Sequence, residues 1–226
     1  MDALAPRALT RMGSPQPPAT PDPYAVQRLS PEALQASLDE TLERRPCTGA
    51  IWVFGYGSLM WNPGFAFVEK RLVTVHGFHR QFRHWSRVNR GTPEQPGLVL
   101  TLEHGGSCRG IAFRLGKATL REALLTLWRR EMALGSYRPA WLTCRSEGES
   151  LCGLTFVVNR ADTRSYTGPM TLEAMVPHLA GARGRYGSAA EYLFQTQSTL
   201  ATFGVRDRHI EALADLVRRR LAGVGN

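Results

Sequence analysis

The stretch Val53-Phe54-Gly55-Tyr56-Gly57-Ser58-Leu59 runs a short hydrophobic segment into two glycines one residue apart. A buried strand followed at once by a sharp turn is the direct reading. Glycine lacks a Cβ and admits positive φ, so successive backbone N–H groups after the strand can converge on one anion. A carboxylate or an oxyanion would suit such a nest, and a plain tight turn accounts for the same residues. Known phosphate-binding loops do not fit. A dinucleotide fingerprint requires a third small residue where Met60 stands, and no Gly-Lys-Ser/Thr follows to make a P-loop. Ser58 is not framed as the nucleophile of a G-x-S-x-G elbow.

Outward from this loop the pattern stays strand and turn. Ile51–Phe54, Leu72–Val75, Leu98–Leu102 and Ile111–Leu115 are short apolar runs rich in β-formers, separated by Gly, Pro and Asn. Trp141–Cys144 and Leu154–Val158 extend the set after one intervening helix. The remainder is helical: Thr171 to Leu179, a segment opened by a Ser188/Glu191 capping box, and a third lined by Ile210, Leu213, Val217 and Leu221. Strands first, one helix inserted and helices last describe an α+β domain with a mixed sheet able to curl into a barrel. Before it, Met1 to Tyr24 is Pro- and Ala-rich and expected to be disordered. Ser30 with Pro31 and Glu32 then opens a short helix to about Arg45, apolar at Leu34, Leu38 and Leu42. The division is therefore residues 1–47 as an N-terminal extension and 48–226 as one globular domain.

The helix expected from about Ala118 to Leu134 carries the most chemistry. Its apolar stripe is Leu120, Leu124, Leu127 and Leu134, and the vacant place in the last step is Glu131. A 3.6-residue period sets that carboxylate among Leu124, Leu127, Trp128 and Leu134. Burial disfavours a charged carboxylate and raises its pKa toward that of a general acid/base. A partly buried ion pair with Arg129, Arg130 or Arg138, or a solvated helix end, fits the same pattern.

Composition narrows the rest. The net charge is +9, and Lys70 and Lys117 are the only lysines among 28 basic residues. A basic surface attracts anions from tripeptide carboxylates to RNA, so charge alone does not choose. Phe78, Phe82 and Trp85 interleaved with Arg80, Arg83, Arg87 and Arg90 could make a single-stranded nucleic-acid platform or an ordinary half-buried strand. His76, His79 and His84 have no neighbouring Cys, Asp or Glu at zinc-like spacing, so no metal is expected. Cys47, Cys108, Cys144 and Cys152 show no CxxC spacing and are expected as reduced thiols. Neither a bilayer-spanning run nor a secretory signal is present, which points to a cytoplasmic protein.

Phe54-Gly55-Tyr56-Gly57-Ser58-Leu59-Met60-Trp61 resembles the opening motif of the ChaC-like γ-glutamylcyclotransferases. So do Arg90-Gly91-Thr92-Pro93-Glu94-Gln95-Pro96-Gly97 with Leu98-Val99-Leu100-Thr101-Leu102, and Trp128-Arg129-Arg130-Glu131-Met132 with Gly135-Ser136-Tyr137. The tail from Gly184 through Glu191-Tyr192-Leu193 is similar as well. The resemblance implies a γ-glutamylcyclotransferase-like mixed β-barrel with surrounding helices. It implies glutathione as substrate, 5-oxoproline and cysteinylglycine as products, and no cofactor. Glu131 is then the catalytic acid/base. Val53, Phe54, Gly55, Tyr56, Gly57, Ser58 and Leu59 would bind substrate, with Tyr166 as a further hydrogen-bonding candidate. Glutathione is the expected partner, with no nucleic acid, no membrane and a monomer favoured. Two alternatives stand beside this: the same reaction on another γ-glutamyl amide or amine, and a non-catalytic basic module holding acidic ligands or RNA. The spacing after Glu131 is longer than the Glu-x-Gly-Gly-Tyr of some members, which bears on the shape of the leaving-group pocket.

Overall fold

The computed structural model describes residues 28–223, so the disorder expected for Met1 to Tyr24 lies outside the described residues. Its centre is a closed five-stranded barrel in the order β1 (Trp52–Gly55), β3 (Gly97–Arg114), β2 (Glu69–Ser86), β4 (Tyr137–Ser146) and β5 (Glu149–Val158). Neighbours are antiparallel except where β1 closes the ring against β5 in parallel, Trp52 facing Gly153 and Val53 facing Leu154. The sheet is mixed and curled, as the sequence suggests.

Two differences from the sequence reading matter. The runs Leu98–Leu102 and Ile111–Leu115 are two ends of one 18-residue strand, paired with an equally long β2. Register shifts between His76 and Phe78 and between Phe82 and His84 bend this hairpin. Gly77, at φ 82°, occupies the first of them, so that glycine marks a bulge inside a strand and not a turn between strands. Because β4 contacts β2 only at Thr74 and Val75, the far half of the hairpin leaves the barrel as an arm. Its apolar face, Phe82, Leu98, Leu100 and Leu102, is buried in the continuous core that takes in the C-terminal helices.

Those helices are α3 (Leu172–Gly181), α4 (Ala189–Thr202) and α5 (Arg208–Leu221), with the short pair β6 (Arg183–Gly184) and β7 (Gly187–Ser188) before α4. Ser188 and Glu191 form the expected capping box. Ile210, Leu213 and Val217 are fully buried, whereas Leu221 stands out at 54 % exposure. On the other side, α1 (Pro31–Glu43) lies against α2 (Leu120–Glu131). Leu34 and Leu38 join the core, and the Trp128 and Trp141 indoles donate to Ser37 Oγ and the Thr41 carbonyl at 3.3 and 3.0 Å. The helix of the N-terminal extension is thus part of the packed body. None of the described helices is long and apolar enough to cross a membrane.

The cysteine expectation needs correction. Cys47 and Cys152 are joined in a disulfide, with Cα atoms 6.4 Å apart and 105 residues of separation, while Cys108 and Cys144 are free and buried. Spacing could not reveal this, because the pair meets only once the segment after α1 runs beside β5. A cross-link over so long a loop restricts the unfolded chain strongly. Reduction, or the double substitution Cys47→Ser/Cys152→Ser, is expected to lower unfolding free energy by about 2–4 kcal/mol. Chemical denaturation with and without reductant measures this, and coincident midpoints would show that the staple contributes nothing.

Candidate active site

Helix α2 stacks Ala123, Leu124, Leu127 and Trp128 on one face, and Trp128 is fully buried with its ring edge-on to Phe156. One turn beyond Leu127 the same face presents Glu131, the last helical residue. The helix ends three residues earlier than its stripe suggests, and Leu134 belongs to the turn through Gly135 (φ 65°) that leads into β4. Only 15 % of the Glu131 side chain is exposed. Burial pushes its pKa up, and the Arg130 guanidinium, with Nε 3.0 Å from Oε1, pulls it back only in part. Both sequence readings of Glu131 therefore hold together: it is buried, and it is paired, with Arg130 of the three candidate arginines.

Arg130 joins this carboxylate to the glycine loop, its Nη2 donating to Ser58 Oγ at 2.9 Å. After β1 the chain passes through Gly55, Tyr56 and Gly57 into a single 3-10 turn, Ser58–Met60. Neither glycine has positive φ, so their requirement is space and not handedness. A Cβ on Gly55 would lie 2.9 Å from the Leu59 Cβ, and one on Gly57 would lie 2.6 Å from the Tyr192 hydroxyl. That hydroxyl belongs to α4 and accepts the Leu100 N–H at 3.4 Å. Tyr56 donates to the Phe156 carbonyl at 2.6 Å, and Tyr137 approaches the Leu100 carbonyl at 3.5 Å. Burial pushes the Tyr56 and Tyr137 phenols well up and Tyr192 to about 12, and the charge of Glu131 adds to all three. The carboxylate thus sits amid neutral phenols supplied by the loop, β4 and α4.

The four sequence motifs converge here. Arg90 lies over the Tyr192 ring at 5.6 Å and donates to the Ser188 carbonyl at 3.3 Å. The 184–188 turn is tied to the Val88 and Asn89 carbonyls by the Arg185 and Tyr186 N–H groups. Of the expected binding residues, Tyr56 feels the charge of Glu131, and Ser58 is joined to it through Arg130, with Gly55 and Gly57 flanking Tyr56 in the chain. The side chains of Val53 and Phe54 are fully enclosed in the core, and Leu59 is buried beside them. Tyr166 is elsewhere: its hydroxyl donates to Glu103 Oε2 at 3.2 Å, and its backbone pairs with His84. Its backbone partner His84 is buried and packs its ring edge-on to Tyr137 at 4.5 Å. Burial holds His84 down at about 4, so the ring is neutral.

Sequence reasoning missed Arg130, Tyr137 and Tyr192 as site residues, although each lies inside a motif. Their signal was there as polar or aromatic members of otherwise apolar helix and strand faces. The arginine-aromatic stretch is no open platform. Phe82 is fully buried, and Arg80 is enclosed, 3.6 Å from Asp207 and donating to the Arg109 carbonyl. His76 is exposed, His79 bonds the Gly105 carbonyl and His84 faces Tyr137, so the three imidazoles diverge.

Comparison with known proteins shows the family. A family model described as ChaC-like protein matches residues 51–220. A glutathione-specific gamma-glutamylcyclotransferase of Escherichia coli K12 is 38% identical over 194 residues, covering 85% of this chain and 84% of that protein. Gamma-glutamylcyclotransferase 2-3 of Arabidopsis thaliana is 35% identical over 181 residues, with 76% and 91% covered. The human glutathione-specific gamma-glutamylcyclotransferase 1 is 33% identical over 175 residues, with 74% and 78% covered. The crystal structure of a yeast gamma-glutamyl cyclotransferase specific to glutathione superposes with a TM-score of 0.68 at 22% identity, covering 76% of this chain and 97% of that one. That likeness concerns the fold.

The contact between loop and α4 is directly testable. Gly57→Ala forces a Cβ against a hydroxyl fixed by the Leu100 N–H, and overpacking of this kind costs about 1–3 kcal/mol. Adding Tyr192→Phe removes the obstructing oxygen and should make the double variant more stable than Gly57→Ala alone. A double-mutant cycle in denaturant reads the coupling, and strict additivity would show that the two residues do not meet.

Proposed function

The chain belongs to the ChaC-like family, and from that membership we propose that it cleaves glutathione to 5-oxoproline and cysteinylglycine, with Glu131 as general acid/base. The observation that carries this is a carboxylate buried at the end of an apolar helix face and joined through Arg130 to the glycine loop. The names of the Escherichia coli and human relatives supply the substrate, and the chemistry suits the residues. The α-amine of the γ-glutamyl group attacks its own γ-carbonyl carbon, closing a five-membered ring. Glu131 accepts the proton that the amine gives up and returns it to the cysteinyl nitrogen as the C–N bond breaks. The nucleophile is part of the substrate, so no protein Ser or Cys is required, and the site's task is to hold the γ-glutamyl chain folded. Orientation of that kind can lower a barrier by several kcal/mol.

In this reading the backbone N–H groups around Tyr56, Gly57 and Ser58 receive the α-carboxylate or the developing oxyanion. The neutral Tyr192 and Tyr137 phenols border the same space and keep it polar without adding charge. The protein works in the cytoplasm on a small anionic peptide, with no cofactor and no nucleic-acid partner.

Glu131→Gln is expected to keep the melting temperature within a few degrees and to lose at least roughly 10²-fold in kcat, since an amide cannot take the proton. Release of 5-oxoproline from glutathione by the purified protein is the assay, and near-normal turnover by a folded variant would remove Glu131 from the reaction. The pH dependence follows from burial. Glu131 must be ionised to act as base, and its pKa lies above the ordinary 4.5. The rate kcat/KM should therefore fall on the acid side at a higher pH than for a solvated carboxylate. An acid limb centred at or below 4.5 would contradict this.

A further inference from the structure

Building on that reading, the geometry points to Arg130 as a positioning residue: its guanidinium fastens the Glu131 carboxylate and the 58–63 loop into one arrangement, so that base and backbone donors meet the substrate together. Each guanidinium nitrogen is engaged. Nε lies 3.0 Å from Glu131 Oε1, and Nη2 donates to Ser58 Oγ at 2.9 Å. Nη1 donates to the carbonyls of Asn62 and, at 3.2 Å, of Pro63. One planar fork thus links the C-terminal end of α2 to both ends of the turn that follows Gly57. Lysine has the charge but not the fork, and could not hold all four partners in one plane.

Arg130 is also the cation in contact with Glu131. The other titratable groups facing that carboxylate are the phenols of Tyr56 from the loop, Tyr137 from β4 and Tyr192 from α4, all neutral at physiological pH. Without Arg130 the carboxylate would be buried among groups that offer polarity but no compensating charge. Its proton would then be lost only at higher pH, and the loop would lose its tether to α2.

The test uses the full chain with glutathione as substrate, comparing wild type with Arg130→Met, Arg130→Lys and Ser58→Ala. Arg130→Met should lower kcat by about 10- to 100-fold, the scale of a misplaced catalytic group, with KM changed by less than about threefold. Its acid limb in kcat/KM should move to higher pH. Arg130→Lys should return the limb toward the wild-type position without restoring kcat fully. Ser58→Ala removes one loop tie and leaves those to the Asn62 and Pro63 carbonyls, and should lower kcat less than Arg130→Met while leaving the limb in place. A ¹³C NMR titration of the Glu131 carboxyl in resting protein reads the same ion pair without turnover. An upward shift in Arg130→Met supports the arrangement even if glutathione is not the substrate, and the neutral but hydrogen-bonding Arg130→Gln serves this purpose should the methionine variant not fold. A limb and a carboxyl titration both unmoved would overturn the proposal. So would a raised KM with unchanged kcat, which would make Arg130 a substrate-binding group.

Discussion

The burial of one carboxylate against the end of an apolar helix governs how the rest of the molecule is arranged around it. Taking an ionised carboxylate out of water is unfavourable by several kcal/mol unless nearby groups compensate. Here Glu131 is carried into place by Leu124, Leu127 and Trp128, whose packing fixes the rotation of α2. The helix cannot turn Glu131 outward without exposing Trp128. Core packing therefore holds the carboxylate where electrostatics alone would not, and its raised pKa is the consequence.

Barrel closure supplies the second half of the site. The parallel contact between β1 and β5 is short, Trp52 and Val53 against Gly153 and Leu154. Antiparallel pairing with β3 holds the other edge of β1 through Gly55. A strand of four residues, buried along its whole length and paired on both sides, ends at a defined point, so the glycine loop begins at a defined point too. Tyr192 then reaches into the loop from α4, and its hydroxyl explains why position 57 carries no side chain. The long β2–β3 hairpin makes this approach feasible, because its arm provides the surface on which α4 is seated and the Leu100 N–H that holds the hydroxyl.

Much of this was readable in the sequence, with the failures confined to particular kinds of residue. The period of α2 places Glu131 on the buried face, where the structure has it, because a helix face reports burial through spacing. The long strands read as shorter pieces because Gly105 and Gly106 inside β3, and Gly77 at a bulge in β2, look like Gly at a turn. The N-terminal helix was recognised from its cap and apolar spacing, yet not its packing on Trp128 and Trp141, which depends on partners about a hundred residues away. The Cys47–Cys152 link failed for the same reason. Positive φ is not what the glycine loop requires. Glycine is needed there because other atoms come too close, and closeness between distant segments leaves no trace in local spacing.

The composition of the Glu131 surroundings has its own logic. A base that takes a proton from an amine and returns it to a leaving nitrogen needs a pKa between those of a solvated carboxylate and an amine. Several cations around the carboxylate would hold it ionised and too weak a base, whereas a wholly apolar enclosure would hold it protonated. Three buried phenols with a single guanidinium lie between these limits. The phenols, themselves driven upward by burial, remain neutral and cannot become competing acids near physiological pH. The guanidinium offsets part of the desolvation without cancelling it, as the net upward direction at Glu131 shows. Tyrosine is suited to this place because it brings a polar hydroxyl on a large apolar ring, filling the core and bordering the reaction space with the same side chain.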